Sequence, residues 1–131
     1  MKRLARVLGV AAVLALGCSE PSGPVAGDLV VSLAGAAQAR AVSFRLVGPR
    51  SAVGAPGGTS YLVYPAQLQA DTMHLIVVAP LGTTLGPGPI ARVSVPDVRR
   101  VGAYVAIVDE VAGPTYALQN PTQFSLTVVR P

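Results

Sequence analysis

Residues 41–47 read Ala-Val-Ser-Phe-Arg-Leu-Val, the most regular alternation of apolar and polar side chains in this chain. Val42, Phe44 and Leu46 share one face, and the polar residues between them share the other. A period of two residues predicts a β-strand with one buried face and one solvated face.

Six further segments are short, apolar and bounded by turn residues, so each predicts a strand. Twelve prolines and fourteen glycines leave no segment that predicts a helix longer than a turn or two. We therefore expect an all-β fold, a single antiparallel β-sandwich of about seven strands over residues 28–131. Besides 41–47, the predicted strands are 29–33, 61–64, 72–79, 90–95, 101–111 and 124–129.

The chain begins with an export signal. Lys2, Arg3 and Arg6 precede an uncharged run of ten residues, 7–16. That run has the length of a signal-peptide core and is too short for a helix to span a bilayer. Residues 1–17 are therefore predicted to be a cleaved signal peptide.

The end of this run, Gly17-Cys18, resembles the lipobox of bacterial lipoprotein signal peptides, although Ala15 stands where that family favours leucine. The resemblance implies cleavage before Cys18, which would carry a diacylglyceryl group, and residues 18–27 would form a flexible tether. Ser19 favours the outer membrane, if the cell has one. The alternative is an ordinary secretory signal that is cut elsewhere, with Cys18 incidental. In either case a single cysteine allows no disulfide within the chain.

The net charge of the mature chain gives no reason to expect a nucleic-acid partner. Three of the ten basic residues lie in the leader, which leaves seven arginines against six acids in the mature chain. Beyond the leader, the longest basic run is Arg99-Arg100. No phosphate loop, calcium loop or zinc-ligand pattern is present in the sequence, so we expect no metal and no cofactor.

Candidate catalytic residues are few. His74 is the only histidine and could pair with Ser43, Ser60 or Ser94, but no serine lies in a Gly-x-Ser-x-Gly elbow. Asp109 and Glu110 are adjacent on a predicted strand, so alternation places them on opposite faces. Tyr61 and Tyr64 are three residues apart on a predicted strand, so they lie on opposite faces and cannot form one flat platform for stacking on sugars. We therefore expect no enzyme, and a hydrogen-bonded structural role for the histidine.

The domain resembles cohesin-like sandwiches in its opening strand, Gly-Asp-Leu-Val-Val-Ser-Leu (27–33), in 41–47 and in the glycine-led strand 88–95. This resemblance implies a non-catalytic binding or display module. With the leader, it predicts an exported, membrane-anchored protein that binds an envelope protein or a glycan. The alternative is an accessory structural subunit of an envelope complex without a ligand of its own.

Strand counting predicts which loops share an end of the sandwich. We call the end at which the first strand begins the tether end, and the opposite end the far end. Seven alternating strands place loops 48–60 and 80–89 at the tether end, and connections 34–40, 65–71 and 96–100 at the far end. Because exposed arginines are common interface anchors, we expect binding residues at the far end: Arg99, Arg100 and Arg40.

Overall fold

The computed structural model describes residues 23–35 and 37–131, and these residues form an all-β, antiparallel β-sandwich. The predicted signal peptide, residues 1–17, and Cys18 lie outside the described residues. Within the described part there are nine strands: β1 Gly27–Gly35, β2 Ala41–Val47, β3 Ala52–Gly54, β4 Leu62–Gln69, β5 Thr72–Val78, β6 Gly88–Val95, β7 Val105–Ala112, β8 Leu118–Gln119 and β9 Phe124–Val129. Seven of them correspond to the predicted strands, and β3 and β8 are short additions.

The strands form two sheets, one of four strands in the order β3-β6-β1-β9 and one of five in the order β4-β5-β2-β7-β8. All pairings are antiparallel. The predicted alternations hold, since Val42, Phe44 and Leu46 are fully buried. The opposing sheet contributes the buried faces of β1 and β6, so the core lies between the sheets.

Two strand boundaries differ from the prediction. Strand β4 continues through Pro65 to Gln69, because it is an edge strand and proline there forfeits no inner ladder hydrogen bond. The predicted strand 101–111 begins only at Val105, because Val98–Ala103 form 3₁₀ turns. A second 3₁₀ turn, Pro121–Gln123, precedes β9. In the described part of the chain, neither helical segment has the length and apolar character needed to cross a bilayer.

A β-bulge in β7 overturns the predicted orientation of the two adjacent acids. Ser43 pairs with Glu110 but Phe44 pairs with Val108, so Asp109 is an extra residue in the ladder. Glu110 is on the outer face, opposite Ser43, and Asp109 reaches Arg45 on that same face. Both carboxylates therefore point outward, where simple alternation had placed them on opposite faces.

The sequence prediction missed two strands, β3 and β8, and the omission of β3 reverses several loop positions. Strand β3, inside the predicted loop 48–60, pairs with β6 because Val53 packs against the core. Every later strand consequently runs opposite to the predicted direction. The tether end now consists of residues 23–27, 48–51, 70–71, 96–104 and 129–131, and the far end of 37–40, 55–61, 79–87 and 113–117.

Three predicted positions are therefore corrected. Loop 80–89 begins at the far end, the turn after β4 lies at the tether end, and residues 96–100 lie at the tether end. Of the three arginines grouped at one tip, Arg40 alone is at the far end. Arg99 and Arg100 are at the other end of the sandwich.

Candidate functional site

The segment after β6 fixes the chain that enters the domain. Val98 N–H donates to the carbonyl of Val25 at 2.8 Å, and Val25 N–H donates to Asp97 Oδ1 at 3.3 Å. Arg99 Nη2 donates to the carbonyl of Gly23 at 2.5 Å. Residues 23–25 of the predicted tether are thus bound to the tether end before β1 begins.

Asp97 organises this turn. It is the N-cap of the 3₁₀ segment, and its carboxylate accepts from the backbone N–H and from the guanidinium of Arg99. Hydrogen bonds from the Arg99 side chain lower the pKa of Asp97 to about 2, and backbone donors from Val25 and Arg99 act in the same direction. Arg99 is therefore committed to a local ion pair, which the sequence alone did not indicate.

Arg100 borders a shallow pocket of about 310 Å³ at the tether end. Pro24, Pro49 and Pro96 line this pocket with the ring of Tyr104. The Tyr104 hydroxyl donates to the Pro49 carbonyl, and burial raises the pKa of this phenol. The pocket is mostly apolar, and Arg100 adds one exposed cation at its rim.

Arg40 is buried, contrary to the expectation of an exposed anchor. Its Nη1 and Nη2 donate to the carbonyls of Pro114 and Pro80 at 3.5 and 3.4 Å, and its guanidinium carbon lies 5.0 Å from the centre of the Tyr116 ring. Nε has no hydrogen-bond partner, and no carboxylate pairs with this arginine among the described residues. Arg40 ties two far-end loops together, a role its sequence context did not signal.

A polar cluster crosses three strands on the outer face of the five-stranded sheet. Ser43 Oγ lies 2.5 Å from His74 Nε2, and Asp109 Oδ2 lies 3.9 Å from that same nitrogen. Arg45 Nε donates to Asp109 Oδ1 at 3.0 Å. Sequence reasoning paired Ser43 with His74 but missed Asp109, because the bulge that turns it outward leaves no local signal.

This cluster does not have the geometry of a Ser-His-Asp triad. In a triad the serine and the carboxylate bind opposite nitrogens of the imidazole. One nitrogen accepts the serine proton, and the carboxylate at the other nitrogen stabilises the imidazolium that forms. Here both approach Nε2, and the carboxylate is paired with Arg45. The arrangement is that of cross-strand polar pairs on a solvated sheet face.

The two most exposed large apolar side chains, Leu81 and Leu118, lie toward the far end, although Val25, Val105 and Val129 are also exposed near the tether end. A cross-strand row of five apolar residues spans all five strands of the larger sheet, and we call it the far-end apolar row: Leu62, Val78, Ala41, Ala112 and Leu118. Its two ends, Leu62 and Leu118, are 50% and 72% exposed. Tyr64, Leu81 and Tyr116 are also more than half exposed in this half of the domain.

The tyrosines do not form a stacking platform. Tyr61 packs against the core, and its hydroxyl accepts from Gly86 N–H at 3.2 Å. Tyr64 is exposed on the edge strand β4, and Tyr116 covers Arg40. The described residues also contain no group of three or more histidine, cysteine or acidic side chains placed to hold a metal ion.

The fold and these surfaces define a small antiparallel β-sandwich with a bound N-terminal segment at one end and an apolar sheet face toward the other. No family model matches the chain, and neither the curated proteins nor the solved structures compared with it give a match.

Proposed function

We propose that this protein is a lipid-anchored envelope protein and a non-catalytic binding module, held to the membrane through Cys18, that receives a partner protein on the far half of its larger sheet. The observation that carries the proposal is the opposition of two surfaces. The N-terminal segment enters the four-stranded sheet at the tether end, whereas the far-end apolar row lies at the opposite end of the sandwich, on the five-stranded sheet.

The far-end apolar row suits a protein partner better than a glycan. Sugars are bound by aromatic faces and by convergent polar groups, and the tyrosines of this domain do not converge. Exposed leucine and tyrosine side chains on a sheet face are typical of the apolar centre of protein interfaces. The partner is therefore expected to be another envelope protein.

Anchoring is tested by Cys18→Ala in the full chain. The variant should leave the membrane fraction and lose processing before residue 18. The mass of the wild-type mature protein should include acyl chains on its first residue. Normal processing with retention of the variant in the membrane would refute anchoring through Cys18.

Partner binding is tested by Leu62→Ser with Leu118→Ser. Cross-linking in intact cells, followed by purification, should give a defined complex whose yield falls at least tenfold in this variant. Val105→Ser with Ile107→Ser is the matched control, because both residues are exposed on the same sheet but nearer the tether end. An equal loss in both double variants would show that the far-end apolar row is not the binding surface.

The same purification distinguishes a binding module from the alternative, an accessory structural subunit of an envelope complex. A subunit that only stabilises an envelope complex should copurify at fixed stoichiometry, and its loss should disassemble the other members. A binding module should leave its partner intact when it is removed.

A further inference from the structure

We infer that the tether end is a docking surface for an anionic membrane, carried by three arginines: Arg50, Arg100 and Arg130. This inference rests on the proposed anchoring through Cys18. It concerns the orientation of the domain relative to the bilayer, which a lipid anchor by itself does not determine.

The length of chain before the described residues limits how far the tether end can move from its lipid. Gly23 is held by Arg99, and Val25 by Val98 and Asp97. Only five peptide units separate Cys18 from Gly23, and fully extended they span at most about 18 Å. The domain itself therefore remains within about two Debye lengths of the headgroups at physiological salt.

The charges at this end favour an anionic surface. Of the seven arginines in the described residues, four lie at the tether end. Asp71 and Asp97 lie there too, and Asp28, one residue into β1, is paired with Arg92. Arg99 is neutralised by Asp97. The three arginines of the docking surface make no ion pair within the described part of the chain.

Two of these arginines donate hydrogen bonds to backbone carbonyls at the tether end, and these contacts leave their positive charge unneutralised. Arg130 Nε donates to the carbonyl of Val98 at 3.2 Å, and Arg50 Nη1 donates to that of Gly48 at 3.2 Å. Arg100 is exposed beside the pocket lined by prolines and Tyr104. Guanidinium groups can bind two phosphate oxygens at once, so lipid phosphates are suitable ligands.

The test uses the full chain, purified with its lipid and reconstituted into vesicles of phosphatidylcholine with or without phosphatidylglycerol. A dye is attached through Gly102→Cys at the tether end or through Gly57→Cys at the far end. A side chain at either glycine meets no atom within 4 Å, so both changes should fold. Headgroup spin labels then report which end of the domain lies on the bilayer.

The dye at residue 102 should be quenched strongly in anionic vesicles and weakly in zwitterionic ones, and added salt should remove the difference. The dye at residue 57 should remain unquenched. Because each arginine near an anionic surface changes the binding constant about five-fold, Arg100→Gln with Arg130→Gln should lower the ratio of docked to undocked protein roughly 25-fold. Arg45→Gln with Arg92→Gln, a matched loss of charge on the two outer sheet faces, should leave it unchanged.

Equal quenching at residue 102 in both vesicle types, or stronger quenching at residue 57, would overturn the inference. The mass of the mature protein distinguishes a failure of the proposed anchoring from a failure of this inference. If the mature chain carries no acyl group, its sedimentation with the same vesicles measures the arginine surface directly. Salt-sensitive binding to phosphatidylglycerol vesicles then supports the inference, and absence of binding overturns it.

Discussion

The carboxylate of Asp97 accepts three hydrogen bonds from Arg99, from the backbone N–H and Nε at 3.1 Å and from Nη2 at 3.4 Å. The same guanidinium also donates to the carbonyl of Gly23. One ion pair thus caps the 3₁₀ segment and fastens the N-terminal segment to the domain. It links residues 23–25 of the predicted tether to the fold at the tether end.

This ion pair should be lost only in strong acid. The pKa of Asp97 is lowered to about 2 in the folded protein from an ordinary value of 3.8. Since the folded pKa is the lower one, the stability it contributes is present above about pH 4 and is lost as the pH falls through about 2. A carboxyl NMR titration of Asp97 should have its midpoint near pH 2, and the protection of the Val98 amide against exchange, relative to its intrinsic rate, should fall over the same range.

Asp97→Asn is the control for that titration. Asparagine retains the cap but carries no charge. In this variant the exchange of the Val98 amide should be faster at neutral pH and should show no added step between pH 4 and pH 2. A midpoint for Asp97 near 3.8 in the wild-type protein would contradict the proposed role of Arg99.

Gly48→Ala should destabilise the domain by at least about 2 kcal/mol. Gly48 has a φ of +137°, and a side chain there would collide with the ring of Tyr104. Gly102→Ala is the matched control, because its φ is ordinary and a methyl group meets nothing within 4 Å. Denaturant unfolding measures both variants, and a similar stability for the two would contradict the close packing of Tyr104 against Gly48.

Phe44→Ala should lower the free energy of unfolding by about 3–5 kcal/mol, because this ring is fully buried between the sheets. Its neighbour Ser43 faces outward and bonds His74, so Ser43→Ala should cost about 1 kcal/mol or less. Urea unfolding of the two variants provides the comparison. Equal losses would mean that the register of β2 is wrong.

Arg40→Met should change stability by less than about 1 kcal/mol, whereas Arg40→Ala should cost about 2–3 kcal/mol. The two hydrogen bonds of Arg40 are long, and its buried charge has no carboxylate partner among the described residues, so the charge contributes little. The packing of its aliphatic stem accounts for most of its effect. Equal, large losses of unfolding free energy in both variants would show that the guanidinium itself holds the far-end loops.

The alternations in 41–47 and 90–95 were enough to predict which residues enter the core. Val42, Phe44 and Leu46, and likewise Ala91, Val93 and Val95, are buried as their spacing predicts. This succeeds because the side-chain period of a strand is local: without a bulge, every second residue returns to the same face, whatever the strand pairs with. The all-β class follows from the same local patterns.

Tertiary structure alone fixed the positions of the arginines and of Asp109. Strand β3 forms because Val53 packs against the core. The additional strand reverses the direction of every later strand relative to the prediction, and it places Arg99 and Arg100 at the tether end. The bulge that turns Asp109 toward Arg45, and the loops that bury Arg40, likewise depend on partners 40 to 74 residues away in the chain. Local periodicity carries no information about such contacts, because their energy arises only when distant segments meet.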